Sequence, residues 1–271
     1  MKNYRLFIVA IIAIGVIFIG TSNPAKNLYK STNFISKNNI TEEEENKKDD
    51  DNKRVKNNSE YTICIDPGHQ EKGDPNLEPV APGSSSKKAR VSSGATGVAT
   101  KKPEYKLNLE ASIVLKHILE NKGYNVVMTR ERHDINISNA ERAILANDKN
   151  ADMVIRVHAD SLDNSGKTGA SILIPQKDGQ YTSKIFEESN KCALNIKDAL
   201  IKENIQLNGI FERNDLTGFN WSKVPVVLIE MGFMSNYNED LMMSNPEYQR
   251  KMMQSVADGL ETYLKDTENR N

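Results

Sequence analysis

Two histidines and two carboxylates carry the strongest chemical signal in this sequence. His69 follows Asp66-Pro67-Gly68 at the close of one apolar run, and His158 closes a second, Met153-Val-Ile-Arg-Val-His. Glu230 ends a third, Val226-Val-Leu-Ile-Glu. Glu104 opens a segment in which Leu107, Ala111, Val114 and Ile118 recur at helical spacing. Imidazoles joined by a carboxylate form a common ligand set of catalytic zinc, which keeps a further position open for water. The metal lowers the pKa of that water to about 7. A free carboxylate can then take the proton and pass it to a leaving amine. His69, Glu104 and His158 are therefore assigned as ligands of one Zn2+ per domain, and Glu230 as the base. On chemistry alone, either carboxylate could be ligand or base. Glu110 competes with Glu104, but it sits about 9 Å further along the helix and is rotated by about 240°. The two cannot serve one metal, and Glu104 at the helix start is preferred.

The elements that position these residues follow from the apolar pattern. Strands are expected at 61–66, 125–129, 152–158, 170–174 and 225–230, and helices at 104–121, 138–148, 182–203 and 247–265. Ser138 with Glu141 three residues on forms a capping box. Alternation of this kind predicts an α/β fold in a single domain, with an open, mostly parallel, twisted sheet and helices on both faces. In such sheets ligands bind beyond the carboxyl ends of the strands. His69, His158 and Glu230 are delivered there, and a helix following the first strand begins at the same rim. Residues 70–103 show no periodicity and are expected to be a loop or lid. The stretch between Glu203 and Pro225, with Gly209, Asp215 and Gly218, likewise reads as a loop. His117 and His133 read as surface residues, and Met242, Met243, Met252 and Met253 as packing. Cys64 and Cys192 read as buried free thiols. Gly166-Lys167-Thr168 resembles the end of a phosphate loop, but Ser161 stands where a glycine is needed and a strand follows.

The 271 residues divide by composition. In residues 1–21, Lys2 and Arg5 precede an uncharged apolar stretch, the pattern of an export signal. No small-residue cleavage site is evident, which favours a retained signal anchor over a cleaved peptide. The two basic residues keep the start of the chain in the cytosol and send the rest outward, so the domain is expected outside the cytoplasm. Residues 22–59 hold four consecutive glutamates from Glu42 and three aspartates from Asp49. They are too polar to fold and read as a disordered linker. Residues 60–267 form the expected catalytic domain and 268–271 a tail. A net charge of −1 gives no reason to expect nucleic acid as a partner. The membrane is met only through the N-terminal segment.

At the residues named, the sequence resembles the family 3 N-acetylmuramoyl-L-alanine amidases. The resemblance rests on Ile65-Asp-Pro-Gly-His69, Glu104-Tyr-Lys-Leu-Asn-Leu109, Val127-Met-Thr-Arg130 and Ala140-Glu-Arg142. It continues through Ala151-Asp152, Val157-His158-Ala159 and Val227-Leu-Ile-Glu-Met-Gly-Phe-Met-Ser-Asn236, all in the family's order. It implies a zinc peptidoglycan hydrolase that cuts the amide between the lactyl group of N-acetylmuramic acid and L-alanine of the stem peptide. By the same resemblance His69, Glu104 and His158 hold zinc and Glu230 is catalytic. Three departures stand out. Gln70-Glu71-Lys72 follows His69 in place of further glycines, the stretch to Glu104 is longer than usual, and Asp160 replaces a common asparagine. The long 70–103 segment is read as a lid or as a docking surface for an activator protein. Two other functions fit the ligands: a zinc peptidase acting within the stem peptide, and a catalytically idle wall-binding domain. Retention of all four site residues argues against the second.

Overall fold

In the computed structural model, which describes residues 57–268, the apolar runs assemble into one six-stranded sheet. Its strands are β1 (Thr62–Pro67), β4 (Asn125–Met128), β5 (Met153–Asp160), β6 (Ala170–Pro175), β7 (Leu207–Arg213) and β8 (Val226–Phe233), in the order β4-β1-β5-β8-β6-β7. Every pairing is parallel except that of β6 with β8. The mostly parallel α/β architecture is as expected. The signal or anchor at 1–21 lies outside the described residues, as do the linker before residue 57 and the tail after 268. Among the described residues no helix is long and apolar enough to cross a membrane.

Helices cover the two faces unequally. α1 (Glu104–Asn121), α3 (Ser183–Lys202) and α6 (Pro246–Glu268) pack on one face. There Ile63, Ile65, Ile155, Val227 and Ile229 meet Leu107, Leu115, Leu119 and Ile196, all fully buried. Side chains alternate along a strand, so Cys64, Val154, Val226 and Leu228 point to the other face. Among the described residues, α2 (Asn139–Asp148) and the short α4 (Thr217–Asn220) lie over that face, adding Ala146 and Phe219 to a smaller core that Ile185 of α3 also joins. The Ser138 capping box forms as read: Ser138 Oγ accepts from the Glu141 N–H at 3.1 Å, and Glu141 Oε2 from the Ser138 N–H at 2.7 Å. Cys64 and Cys192 are buried free thiols. Met243, Met252 and Met253 are fully buried packing residues, whereas Met242 is exposed.

Three segments differ from expectation. Residues 70–103 are not simply a loop, because β2 (Asp74–Pro79) and β3 (Lys87–Val91) pair as an antiparallel hairpin. Two prolines in β2 and an outward Leu77 hide its strand character. The stretch between Glu203 and Pro225 contains β7 and α4. β7 is the sheet's edge, and its partly exposed side chains give no clean alternation. A further helix, α5 (Tyr237–Met243), follows β8 and is capped by the Asn236 side chain.

Candidate metal centre

The site begins where β1 stops. Gly68 and His69 turn the chain, and His69 takes the left-handed backbone conformation, φ 60°. That conformation costs a non-glycine residue about 1–3 kcal/mol and needs surrounding structure to hold it. Two buried arginines do so. Arg130 donates to the carbonyls of Pro67 (3.0 Å), Gly68 (2.9 Å) and Tyr105 (2.8 Å). Arg142 donates to those of Pro67 (2.7 Å) and His69 (3.0 Å). Beneath the turn, Asp66 receives Arg142 Nη1 on one oxygen and Arg156 Nε on the other, each at 2.7 Å. Burial alone would push the Asp66 carboxyl up, but Arg142 and Arg156 outweigh it and hold the group far below the usual carboxylate range.

His69 Nδ1 lies 3.0 Å from the Ser92 carbonyl, just beyond β3. Donation there leaves Nε2 as the bare nitrogen, 3.1 Å from Glu104 Oε1. The same carboxylate oxygen lies 3.3 Å from His158 Nδ1. Glu104, the first residue of α1, also accepts from Asn108 Nδ2 (3.1 Å) and the Ala95 N–H (2.9 Å). Burial works against its charge, yet contact with His158 and His69 holds it well below the ordinary range. Burial drives His158 down to about 4, against the pull of Glu104, so its ring is neutral at pH 7. One donor atom each from His69, Glu104 and His158 lies within 4.8 Å of the others, a grouping that could hold a metal ion. The fit has two further marks. His158 Nε2 and Glu230 Oε2 are buried without a hydrogen-bond partner among the described residues. The backbone also makes room, since a Cβ on Gly68 would strike the His158 ring and one on Gly94 would meet Glu104 Oε2 at 2.6 Å.

Glu230 stands directly opposite His158 in the β5–β8 ladder and points to the same face. Burial first, then the charges of Glu104 and Asp160, raise its carboxyl well above the ordinary range. It lines a cleft of about 330 Å³ with His69 and His158, floored by Arg156, Leu173 and Leu228. The structure thus brings together all four residues singled out from the sequence. Glu110 is left outside, exposed and paired with Lys102. His117 is exposed, while His133 is half-buried with its ring edge-on to Tyr105 at 5.2 Å. Gly166-Lys167-Thr168 lies in the turn before β6 and opens no helix. Sequence reasoning gave no role to Asp66, Arg130, Arg142, Arg156 or Ser92. The available signal was charge in apolar company: Arg156 interrupts a strand, and Arg142 is buried in α2.

A family profile described as N-acetylmuramoyl-L-alanine amidase matches residues 63–262, and the chain belongs to that family. It is similar to the probable cell wall amidase LytH of Staphylococcus epidermidis, 26% identical over 205 residues, or 75% of this chain. The chain spans 58% of the length of that relative. Among solved structures it is similar to apo Ami1, the N-acetylmuramyl-L-alanine amidase of Mycobacterium abscessus. The identity is 26% and the TM-score 0.68, covering 75% of this chain and 98% of that one. It is also similar to the CwlD amidase of Clostridioides difficile, solved in complex with the GerS lipoprotein. There the identity is 25% and the TM-score 0.58, covering 75% and 98%.

The ion network beneath His69 generates a prediction. Asp66→Asn strands two buried guanidinium groups and should lower folding stability at neutral pH by about 3–5 kcal/mol. The folded-state pKa of Asp66 is depressed. Its contribution is therefore complete above the unfolded value of about 3.9 and is lost as pH falls below it. Urea unfolding at several pH values should show the gap between wild type and variant closing in acid. A gap that is absent at neutral pH would count against the network.

Proposed function

We propose that this chain is an exported, zinc-dependent amidase that cuts the bond between the lactyl group of N-acetylmuramic acid and the L-alanine of the peptidoglycan stem peptide. The observation that carries the reading is the convergence of His69, Glu104 and His158 beside a cleft that also holds Glu230. In a member of this family, that set suits zinc, which takes imidazole and carboxylate ligands together. His69 would bind through the nitrogen left bare by its bond to Ser92, His158 as a neutral ring, and Glu104 as a carboxylate. When bound, zinc would polarise the amide carbonyl and make an attacking water more acidic. Glu230 would accept a proton from that water and return it to the L-alanine nitrogen as the amide breaks. Its raised value owes part to the Glu104 charge. With that charge committed to a cation, that part of the rise would be relieved.

The proposed arrangement along the chain is an export signal or membrane anchor at 1–21, a linker at 22–59, the catalytic domain at 60–267 and a short tail. Substrate is met outside the cytoplasm. The 70–103 segment is the proposed docking place of an activator protein. It is a long insertion at the site's edge, and the similar CwlD amidase was solved with a lipoprotein partner. Leu77, on β2, is 64% exposed. Leu77→Glu should reduce stimulation of the full chain by a partner while unstimulated hydrolysis persists, and equal stimulation of both proteins would remove the hairpin from this role.

Glu230→Ala should keep bound zinc and lose about 10²–10⁴-fold in turnover. Metal content measured beside mass spectrometry of digested peptidoglycan checks both halves. Free stem peptides with an intact L-alanine amine are expected from the wild type. Cuts inside the stem would mean a peptidase instead, and normal hydrolysis by the variant would take Glu230 out of the mechanism.

A further inference from the structure

The cleft does not end at Glu230. It continues along the sheet face, over Leu228 and Leu173, to a wall built by Lys88 of β3 and by Arg213 at the end of β7, with Asp215 between them. Arg213 Nε and Nη2 meet the two Asp215 oxygens at 2.7 and 2.9 Å. Lys88 Nζ donates to the Asp215 carbonyl at 2.6 Å and lies 3.7 Å from its carboxylate. Two cations thus share one carboxylate at this end, with Glu230 and Asp160 the next acids whose charges reach Arg213. Arg156, the other cation of the lining, is already matched by Asp66. Asp215 occupies the Nε–Nη2 edge of the Arg213 guanidinium, so Nη1 is left for a second acceptor. Arg213 is also near enough to Glu230 for each to feel the other's charge.

We propose that Lys88 and Arg213 recognise a free carboxylate on the residue that follows L-alanine in the stem peptide. This rests on the amidase reading above. The carboxylate must lie on the peptide side of that amide. The glycan side offers hydroxyl and acetamido groups, and its one carboxyl is consumed in the bond being cut. An extended peptide advances about 3.3 Å per residue, so a residue soon after the cut reaches the far wall while its predecessor crosses the apolar floor. A carboxylate received between an ammonium and a guanidinium gains charge-assisted hydrogen bonds that a neutral amide cannot match. Both cations are partly exposed, so solvent screens the gain to roughly tenfold in discrimination.

The test uses two soluble muropeptides with the same full stem, differing only in whether the residue after L-alanine carries a free α-carboxylate or the primary amide. The wild type should favour the carboxylate about tenfold in kcat/KM, and Arg213→Gln should bring the ratio toward one. Lys88→Gln, on a separate element, should narrow it independently. A wild-type ratio of one, or a ratio unmoved in both variants, would overturn the inference and leave the amidase reading standing. If neither muropeptide is cut at the lactyl amide, both readings fall.

Discussion

The site depends on one buried carboxylate. Asp66 is the last polar group of β1 before the chain turns, and it is almost wholly enclosed with Arg142 and Arg156 around it. Desolvating three charged groups is costly, and an isolated buried pair seldom repays it. Here the guanidinium groups also do a second task. Arg142 and its neighbour Arg130 bind the carbonyls of Pro67, Gly68 and His69 in succession. No helix or ladder serves those three carbonyls, and a buried carbonyl without a donor is itself expensive. The network therefore holds a turn that regular structure cannot hold, and with it the left-handed backbone of His69.

From that turn the constraint spreads through the long insertion. Ser92 fixes the His69 ring, and the Ala95 N–H fixes Glu104. The hairpin carrying this strap is tied at several points: Arg90 to Asp74 and Glu141, Glu78 to the first turn of α2, and the Trp221 ring N–H to the Pro79 carbonyl. Further on, the buried Asp240 carboxylate accepts from the N–H groups of Ala99 and Thr100 and from the Thr100 hydroxyl. The insertion in this conformation is a fixed wall of the cleft, bonded to His69 and Glu104, which it encloses. A lid that swung freely would have to break the bonds orienting His69 and Glu104.

This division explains what could be read in advance. His158 and Glu230 were legible because each ends an apolar run at a strand's carboxyl end. Glu104 was legible because the helix after β1 starts at the same rim. The ion network was not. Arg142 and Arg156 lie 76 and 90 residues from Asp66 in sequence, so each appears only as a charge without a partner in otherwise apolar surroundings. The hairpin was hidden for a related reason. Its strands are held by side-chain ties to α2 and to the β7–α4 turn more than by an apolar face, so they lack the alternation that reveals a strand. The same holds for β7 at the sheet edge.

Arg130→Lys tests most directly whether the arginine network holds the turn in a geometry able to bind a metal, because it keeps the charge and removes the planar fork that spans several carbonyls. Zinc affinity of the folded variant, measured by competition with a chelator, should fall by about 10–100-fold, as expected when a partner that orients a ligand is lost. Wild-type affinity in a variant that is folded by circular dichroism would contradict this role of the network.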